Sequence, residues 1–244
     1  MKKILIIGGC GFIGFNLAKK LMLKNSLVIL DNKINKDRIS FCKKNKIKLL
    51  KGDICNKNSF EKIKYKFDVV YYVASKTSSS VSELKPRECF QTNLIGTINF
   101  YEWCKKYIPK KIIFTSSMSV YGENSINSSE KSATDPVSFY GISKLAGEKI
   151  LLKLDKKKTK LIIPRLYNVY GPGQDFNNFK QGMLSIYLSQ IYKFKKVNIT
   201  GSVKRFRDFI YIDDVTEILE KFITLKLKSH IIYNIGTEEN IQIF

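Results

Sequence analysis

Seven short apolar runs, nearly unbroken in Ile, Val and Leu, recur along the chain with longer helical patterns between them. They are Lys3–Ile7, Leu27–Leu30, Lys48–Lys51, Val69–Val73, Lys111–Thr115, Lys160–Leu166 and Ile231–Ile235. Strands that are apolar on both faces are buried on both faces, which is the condition of a parallel sheet covered by helices. Helical spacing over Phe12–Leu23, Pro86–Lys106, Tyr140–Leu154 and Asp213–Lys226 supplies that cover. This βαβ rhythm predicts an α/β, doubly wound parallel sheet of about seven strands. It breaks between about Gly171 and Phe206, a stretch expected to be loop-rich and to form a small lobe beside the sheet.

The first run ends in Gly8-Gly9-Cys10-Gly11-Phe12-Ile13-Gly14, a glycine-rich turn that opens a helix. Gly8, Gly11 and Gly14 permit a tight turn and close backbone approach, and the helix start offers free N–H groups to a pyrophosphate. Asp31 closes the second strand 23 residues after Gly8, the spacing at which a carboxylate meets adenosine ribose hydroxyls. Such a carboxylate repels a 2′-phosphate. A Rossmann-like dinucleotide site that takes NAD is therefore expected.

Downstream, Ser117 follows a serine-rich strand end, and Tyr140 and Lys144 stand four apart at a helix start, on one face. The chain then resembles the extended short-chain dehydrogenase/reductases, and within them the nucleotide-sugar epimerase/dehydratase group. Gly52-Asp53-Ile54, Tyr72-Val73-Ala74-Ser75, Asn93-Leu-Ile-Gly-Thr97, Pro164-Arg-Leu-Tyr-Asn168-Val-Tyr-Gly-Pro-Gly173, Arg207-Asp-Phe-Ile-Tyr-Ile-Asp-Asp-Val215 and Tyr233-Asn-Ile-Gly-Thr237 carry the resemblance in order. It implies that Ser117, Tyr140 and Lys144 are catalytic. It also implies that Gly8, Gly11, Phe12, Ile13, Gly14, Asp31, Asn32, Asp53, Ile54, Val73, Ala74 and Asn93, with Tyr140 and Lys144, surround the cofactor. Asn168 and Arg207, with Ser117, are implied to hold a nucleotide-sugar substrate, and a homodimer is implied through the helices at Pro86–Lys106 and Tyr140–Leu154.

Relatives that dehydrate carry an Asp-Glu pair after the serine, and those that decarboxylate usually a Glu. Met118 and Ser119 stand there, so epimerisation is the expected reaction. A one-way reductase or dehydrogenase and a catalytically silent NAD-binding protein are the alternatives. Tyr72 occupies a position where many relatives have His. The implied division is 1–170 for the NAD-binding part, 171–206 for the substrate insertion and 207–244 for the return to the sheet. Relatives continue some tens of residues beyond the position of Phe244. A substrate lobe lacking that segment is expected to expose Phe176, Phe179, Met183, Leu184 and Ile186, and to turn over substrate weakly.

Composition narrows the rest. Five scattered cysteines and one histidine, His230, make no zinc constellation and no Ser-His-Asp or Cys-His site, and reduced thiols in a cytoplasm are the simplest reading. No signal peptide is recognisable, and no apolar segment approaches the length of a membrane span. The formal net charge of +22 is compatible with a diphosphate substrate. The lysines are spread along the whole chain rather than gathered in one block, which reads as compositional bias rather than as a nucleic-acid or membrane site.

Overall fold

The computed structural model describes residues 1–177, 179–199, 202 and 204–242, with the side chains of 124–127 left aside; Phe244 lies outside the described residues. The seven expected runs form β1 (Lys3–Ile7), β2 (Ser26–Asp31), β3 (Lys48–Lys51), β4 (Val69–Tyr72), β5 (Lys111–Phe114), β7 (Lys160–Leu166) and β11 (Ile231–Ile235), and a two-residue strand, β6 (Ser116–Ser117), extends the sheet beside β7. All pair in parallel, in the order β11-β7-β5-β4-β1-β2-β3. The order reverses between β1 and β4, and in an open parallel sheet the crevice beyond the strand ends at such a reversal is where ligands sit.

Helices cover both faces: α1 (Phe12–Leu21), α2 (Lys36–Lys44), α3 (Lys57–Glu61), α4 (Ser79–Leu84), α5 (Pro86–Phe90), α6 (Gly96–Tyr107), α7 (Phe139–Leu151), α8 (Met183–Phe194) and α9 (Ile212–Lys221). Alternate residues of each strand feed two separate cores. Ile4, Ile6, Ile29 and Tyr71 pack towards α1 and α9, while Leu5, Ile7, Val70 and Phe114 pack towards Phe100 and Trp103 of α6. At roughly 1.5–3 kcal/mol for each large apolar side chain buried, these two layers hold the sheet.

Three features differ from the sequence expectation, and the first two have physical causes. The helix expected over Pro86–Lys106 is interrupted at Gln91–Ile95 by a π-helical turn. There the buried Asn93 side chain donates to the Lys76 carbonyl and to Ser143 Oγ (both 2.9 Å) and accepts from the Lys76 N–H at 2.8 Å. The second difference is α8, which lies in the stretch expected to be loop-rich; its sequence MLSIYLSQIYKF is apolar on so many sides that helical period is obscured. Four further short strands, β8 (Asn168–Tyr170), β9 (Phe206–Arg207), β10 (Phe209–Tyr211) and β12 (Ile241–Gln242), form two small sheets, β8 with β10 and β9 with β12.

The expected exposure holds for Phe176 and Phe179, whereas Met183, Leu184 and Ile186 are half-buried. The helix packs its first turns inward, near β8, and turns Leu188, Ile191, Tyr192 and Phe194 outward instead. No described helix is long and apolar enough to cross a membrane.

Candidate active site

The glycine turn sits at the crevice. Gly8 has φ +86°, and a Cβ there would lie 2.6 Å from the backbone of Ala74, because the chain leaving β4 is hydrogen-bonded directly against the end of β1. A Cβ at Gly14 would meet the Gly8 carbonyl oxygen at 2.2 Å, so α1 can approach the turn only with glycine at both positions. Gly11 caps α1 without any side-chain hydrogen bond, and the first turn holds no acidic residue. Its N–H groups, on Phe12, Ile13 and Gly14, and its positive dipole end are therefore left for an anion. Asn16 ties the helix to the loop that follows β8, donating to the Pro172 carbonyl at 3.0 Å.

Asp31 ends β2 beside this turn. One carboxylate oxygen accepts the Cys10 N–H at 2.8 Å and the other the Lys33 N–H at 2.9 Å, which orients the group and leaves each oxygen further acceptor capacity for a diol. Asn32 donates to Asp53 at 3.0 Å, and Ile54 is buried in the sheet-side core below them. Val73 and Ala74, whose N–H groups both bond the Ile7 carbonyl, line the far side of the crevice. These residues fit a dinucleotide: close backbone, open N–H groups and an acid for the ribose. Arg38 was not singled out in the sequence. It stacks on Phe15, with its guanidinium carbon 3.5 Å from the ring centroid, and donates to the Cys10 carbonyl.

Ser117 and Tyr140 come together one strand further on. Ser117 is buried at the end of β6. Tyr140 opens α7, whose N-cap, Ser138, accepts the Gly141 N–H at 3.0 Å. The Tyr140 N–H is itself held by Ser82 Oγ at 3.0 Å. Burial pushes the Tyr140 phenol up to about 12, and a hydrogen bond with Ser117 pulls against that rise. Lys144, one turn along and only 3% exposed, lies over the Phe114 ring at 4.6 Å. Burial pushes its ammonium down to about 8, against the attraction of Glu148. Asn168 donates to the Asp208 carbonyl at 2.7 Å and sits beside Met118. Arg207 is half-buried, and burial with the neighbouring charge of Arg205 holds it below the usual guanidinium range. Two cations side by side favour an anion between or upon them. Asn93 is buried, its side chain engaged by Ser75, Lys76 and Ser143.

Lys144 also sets an expected pH effect. In the unfolded chain it titrates near its ordinary 10.5 and in the fold near 8. Between these values the unfolded state binds the extra proton, so this group's contribution to stability rises as pH climbs from about 8 towards 10.5. Lys144→Met should raise the thermal midpoint near neutral pH, and that advantage should shrink above pH 8. A melting series across that range checks both signs.

Sequence reasoning missed the group behind the tyrosine. Arg165 of β7 and Glu148 of α7 form a buried pair, with Nη2 to Oε2 at 2.7 Å and Nε to Oε1 at 3.0 Å, and Ser116 Oγ donates to the same carboxylate. Tyr140, Lys144 and Glu148 recur at four-residue steps on one face of α7, and that repeat was the available signal. Asp208 was missed too; it accepts the backbone N–H groups of Thr237 and Glu238 at 3.0 Å, binding the end of β11 to β10.

A parallel sheet with a glycine turn at its reversal point and a Ser–Tyr–Lys set one strand away defines the extended short-chain dehydrogenase/reductase class. The family pattern "NAD dependent epimerase/dehydratase family" matches residues 4–236. The chain belongs to that family, whose cofactor is NAD. It is 33% identical over 268 residues to a dTDP-D-glucose 4,6-dehydratase of Dictyostelium discoideum, covering 99% of this chain and 59% of that protein. A UDP-glucose 4-epimerase of Pisum sativum is 28% identical over 269 residues, covering 97% of this chain and 77% of that protein. The UDP-glucose 4-epimerase of Thermotoga maritima, solved with UDP-glucose, superposes with a TM-score of 0.87 at 28% identity, over 99% of this chain and 79% of that one. Among the described residues there is no cluster that could hold a metal, and all five cysteines are free thiols.

Proposed function

We propose that the chain epimerises a nucleotide-diphosphate sugar at C4, with the substrate lying between the carboxyl edge of the sheet and residues 171–206. The observation that carries this reading is the placement of Ser117 at the end of β6 against Tyr140 at the start of α7, with Met118 and Ser119 following the serine, neither of which has a carboxyl group. Tyr140 removes the proton of the 4-hydroxyl, and Ser117 hydrogen-bonds the same oxygen. NAD, when bound, supplies the hydride acceptor and a positive ring beside the phenol. Bringing a phenol from about 12 to neutrality takes roughly 7 kcal/mol of preferential anion stabilisation at about 1.4 kcal/mol per unit. The Ser117 contact is already contained in that starting value, so this chain's further contribution is the Lys144 ammonium. Asn168 and Arg207 hold the diphosphate, Arg207 through its planar fork of donors, and Asn93 positions the loop after β4. Leu84, Ile95 and Ile142, exposed around α4, α6 and α7, support a homodimer through those helices.

A second reading, 4,6-dehydration, is favoured by the name of the Dictyostelium relative. It requires an acid and a base to move the C5 proton and release the C6 hydroxyl, and positions 118 and 119 provide neither. Incubation with UDP-, dTDP-, GDP- and CDP-sugars, followed by NMR, separates the two. An epimer without net oxidation supports the proposal; a 4-keto-6-deoxy product, or no turnover of any sugar, overturns it.

Asp31 fixes the expected cofactor preference. NAD should bind well and NADP poorly, because a 2′-phosphate would face the carboxylate. Asp31→Ala should narrow the gap, the more so because Arg38 remains beside the loop. Calorimetric titration of both cofactors checks this, and equal affinity in the unmutated protein would refute the assignment.

A further inference from the structure

The lysines that are scattered in the sequence are gathered by the fold. In a parallel sheet every strand starts at the same edge, and every helix that leads into a strand ends there. The seven segments that enter the seven main strands are residues 1–3, 22–26, 43–48, 62–68, 105–111, 152–160 and 224–230. They contain 21 of the chain's 43 basic residues and two of its 21 acidic ones. This edge therefore carries +19 of the net +22, and the remainder of the chain is close to balanced. Hydrogen bonds show that the segments adjoin: the Lys160 N–H bonds the Lys110 carbonyl, the Asp68 N–H that of Lys3, and the Ser26 N–H that of Lys2. The two acids, Asp68 and Asp155, each pair with a lysine of the same edge. Helix dipoles favour some lysines at helix ends, but they do not account for the run at 156–158 in a turn.

Apolar side chains stand among these charges. Met1 is 96% exposed, Leu23 78% and Ile108 41%. Ile108 closes α6 with φ +46°, in the left-handed region that a β-branched residue rarely adopts, and glycine would end the helix there with less strain. Tyr65, also exposed, carries Lys3 at 4.1 Å and Lys48 at 4.8 Å over its ring.

We propose that this edge, opposite the active-site crevice, docks on an anionic lipid surface, with the lysines over the headgroups and Met1, Leu23 and Ile108 entering the interface. Lysine at a membrane gains from diffuse attraction to anionic headgroups, and exposed apolar chains add buried area. The composition favours lipid over nucleic acid: none of the five arginines, Arg38, Arg87, Arg165, Arg205 and Arg207, lies in these segments, whereas arginine is the residue suited to paired contacts with nucleic-acid phosphates. Docked in this way, the enzyme turns its crevice towards the aqueous side.

The test is co-sedimentation with vesicles of phosphatidylcholine plus phosphatidylglycerol, beside vesicles of phosphatidylcholine alone. The expected result is binding only to the anionic vesicles, weakened by salt. Lys66, Lys157 and Lys228 are exposed on this edge and make no ion pair among the described residues. Changing the three to Gln should lower affinity roughly fivefold per lysine, equivalent to about 1 kcal/mol each. The same change at Lys51, Lys131 and Lys196, exposed elsewhere, alters net charge equally and should have little effect. Leu23→Ser should weaken binding at every salt concentration. NAD titration, which reads the opposite edge, confirms that each variant is folded. Equal losses in the two lysine triples would show that net charge alone drives binding and would overturn the proposal. So would binding to both vesicles alike, binding to neither, or retention on duplex DNA without vesicle binding.

Discussion

Tyr140→Phe is expected to abolish turnover while leaving NAD affinity unchanged. The phenolic oxygen is the only atom removed, and in the structure it meets Ser117 rather than the glycine turn. Burial raises the phenol far above neutrality, so no partial activity should survive through a weaker version of the same group. A general base contributes about two to four powers of ten in rate, and the described site offers no substitute: His230 hydrogen-bonds to Leu154 near the opposite edge of the sheet. Stopped-flow measurement of cofactor reduction, with a separate NAD titration, distinguishes loss of chemistry from loss of binding. Retention of more than a few per cent of the rate would mean that another proton acceptor operates.

The second large effect is on stability. Glu148→Leu leaves the Arg165 guanidinium buried between β7 and α7 without its counter-charge, and should cost about 3–5 kcal/mol. Arg165→Leu strands the carboxylate instead and should cost a similar amount. Replacing both by Leu should be far less damaging than the sum, because neither charge is then unpaired. Urea unfolding of the three variants gives the coupling directly. Turnover adds a second readout: Glu148, held by Arg165 and Ser116, fixes α7 against the strand that carries Ser117. The double variant should therefore fold yet have reduced kcat, with NAD affinity preserved. A loss in the double variant equal to the sum of the two single losses would show that the pair is not coupled.

What could be read in advance was local. The glycine turn, Asp31, and the Tyr140–Lys144 step each declare themselves within one turn or one strand, because a fixed spacing has a fixed geometry in a helix or at a strand end. The seven main strands were legible because burial on both faces leaves an unbroken apolar run. Pairings across elements were not. Glu148 and Arg165 look like an ordinary helix acid and an arginine in a strand until α7 is laid on β7. Asn93 stood out by resemblance as a residue around the cofactor, but only the contact with Ser143 and the loop after β4 explains the π-helical turn around it. Arg38 gave no signal because it gains its meaning from Phe15, a neighbour distant in sequence. The gathering of the lysines at one edge was hidden for the same reason. Its members recur once per β–α unit, so the spacing that looks scattered along the chain is the period of the fold itself.

The gathering of charge at the strand starts makes the molecule an electrical dipole as well as a polycation. On a cation-exchange resin, a mica sheet or a negatively charged electrode it should not land at random. The face carrying +19 should settle downward and the crevice outward, as though each molecule had been mounted by hand. Adsorbed protein should accordingly remain accessible to NAD, whereas the same chain coupled through randomly chosen amines should lose part of that access. Such a layer would be a self-orienting catalyst surface, assembled by the polarity of one parallel sheet.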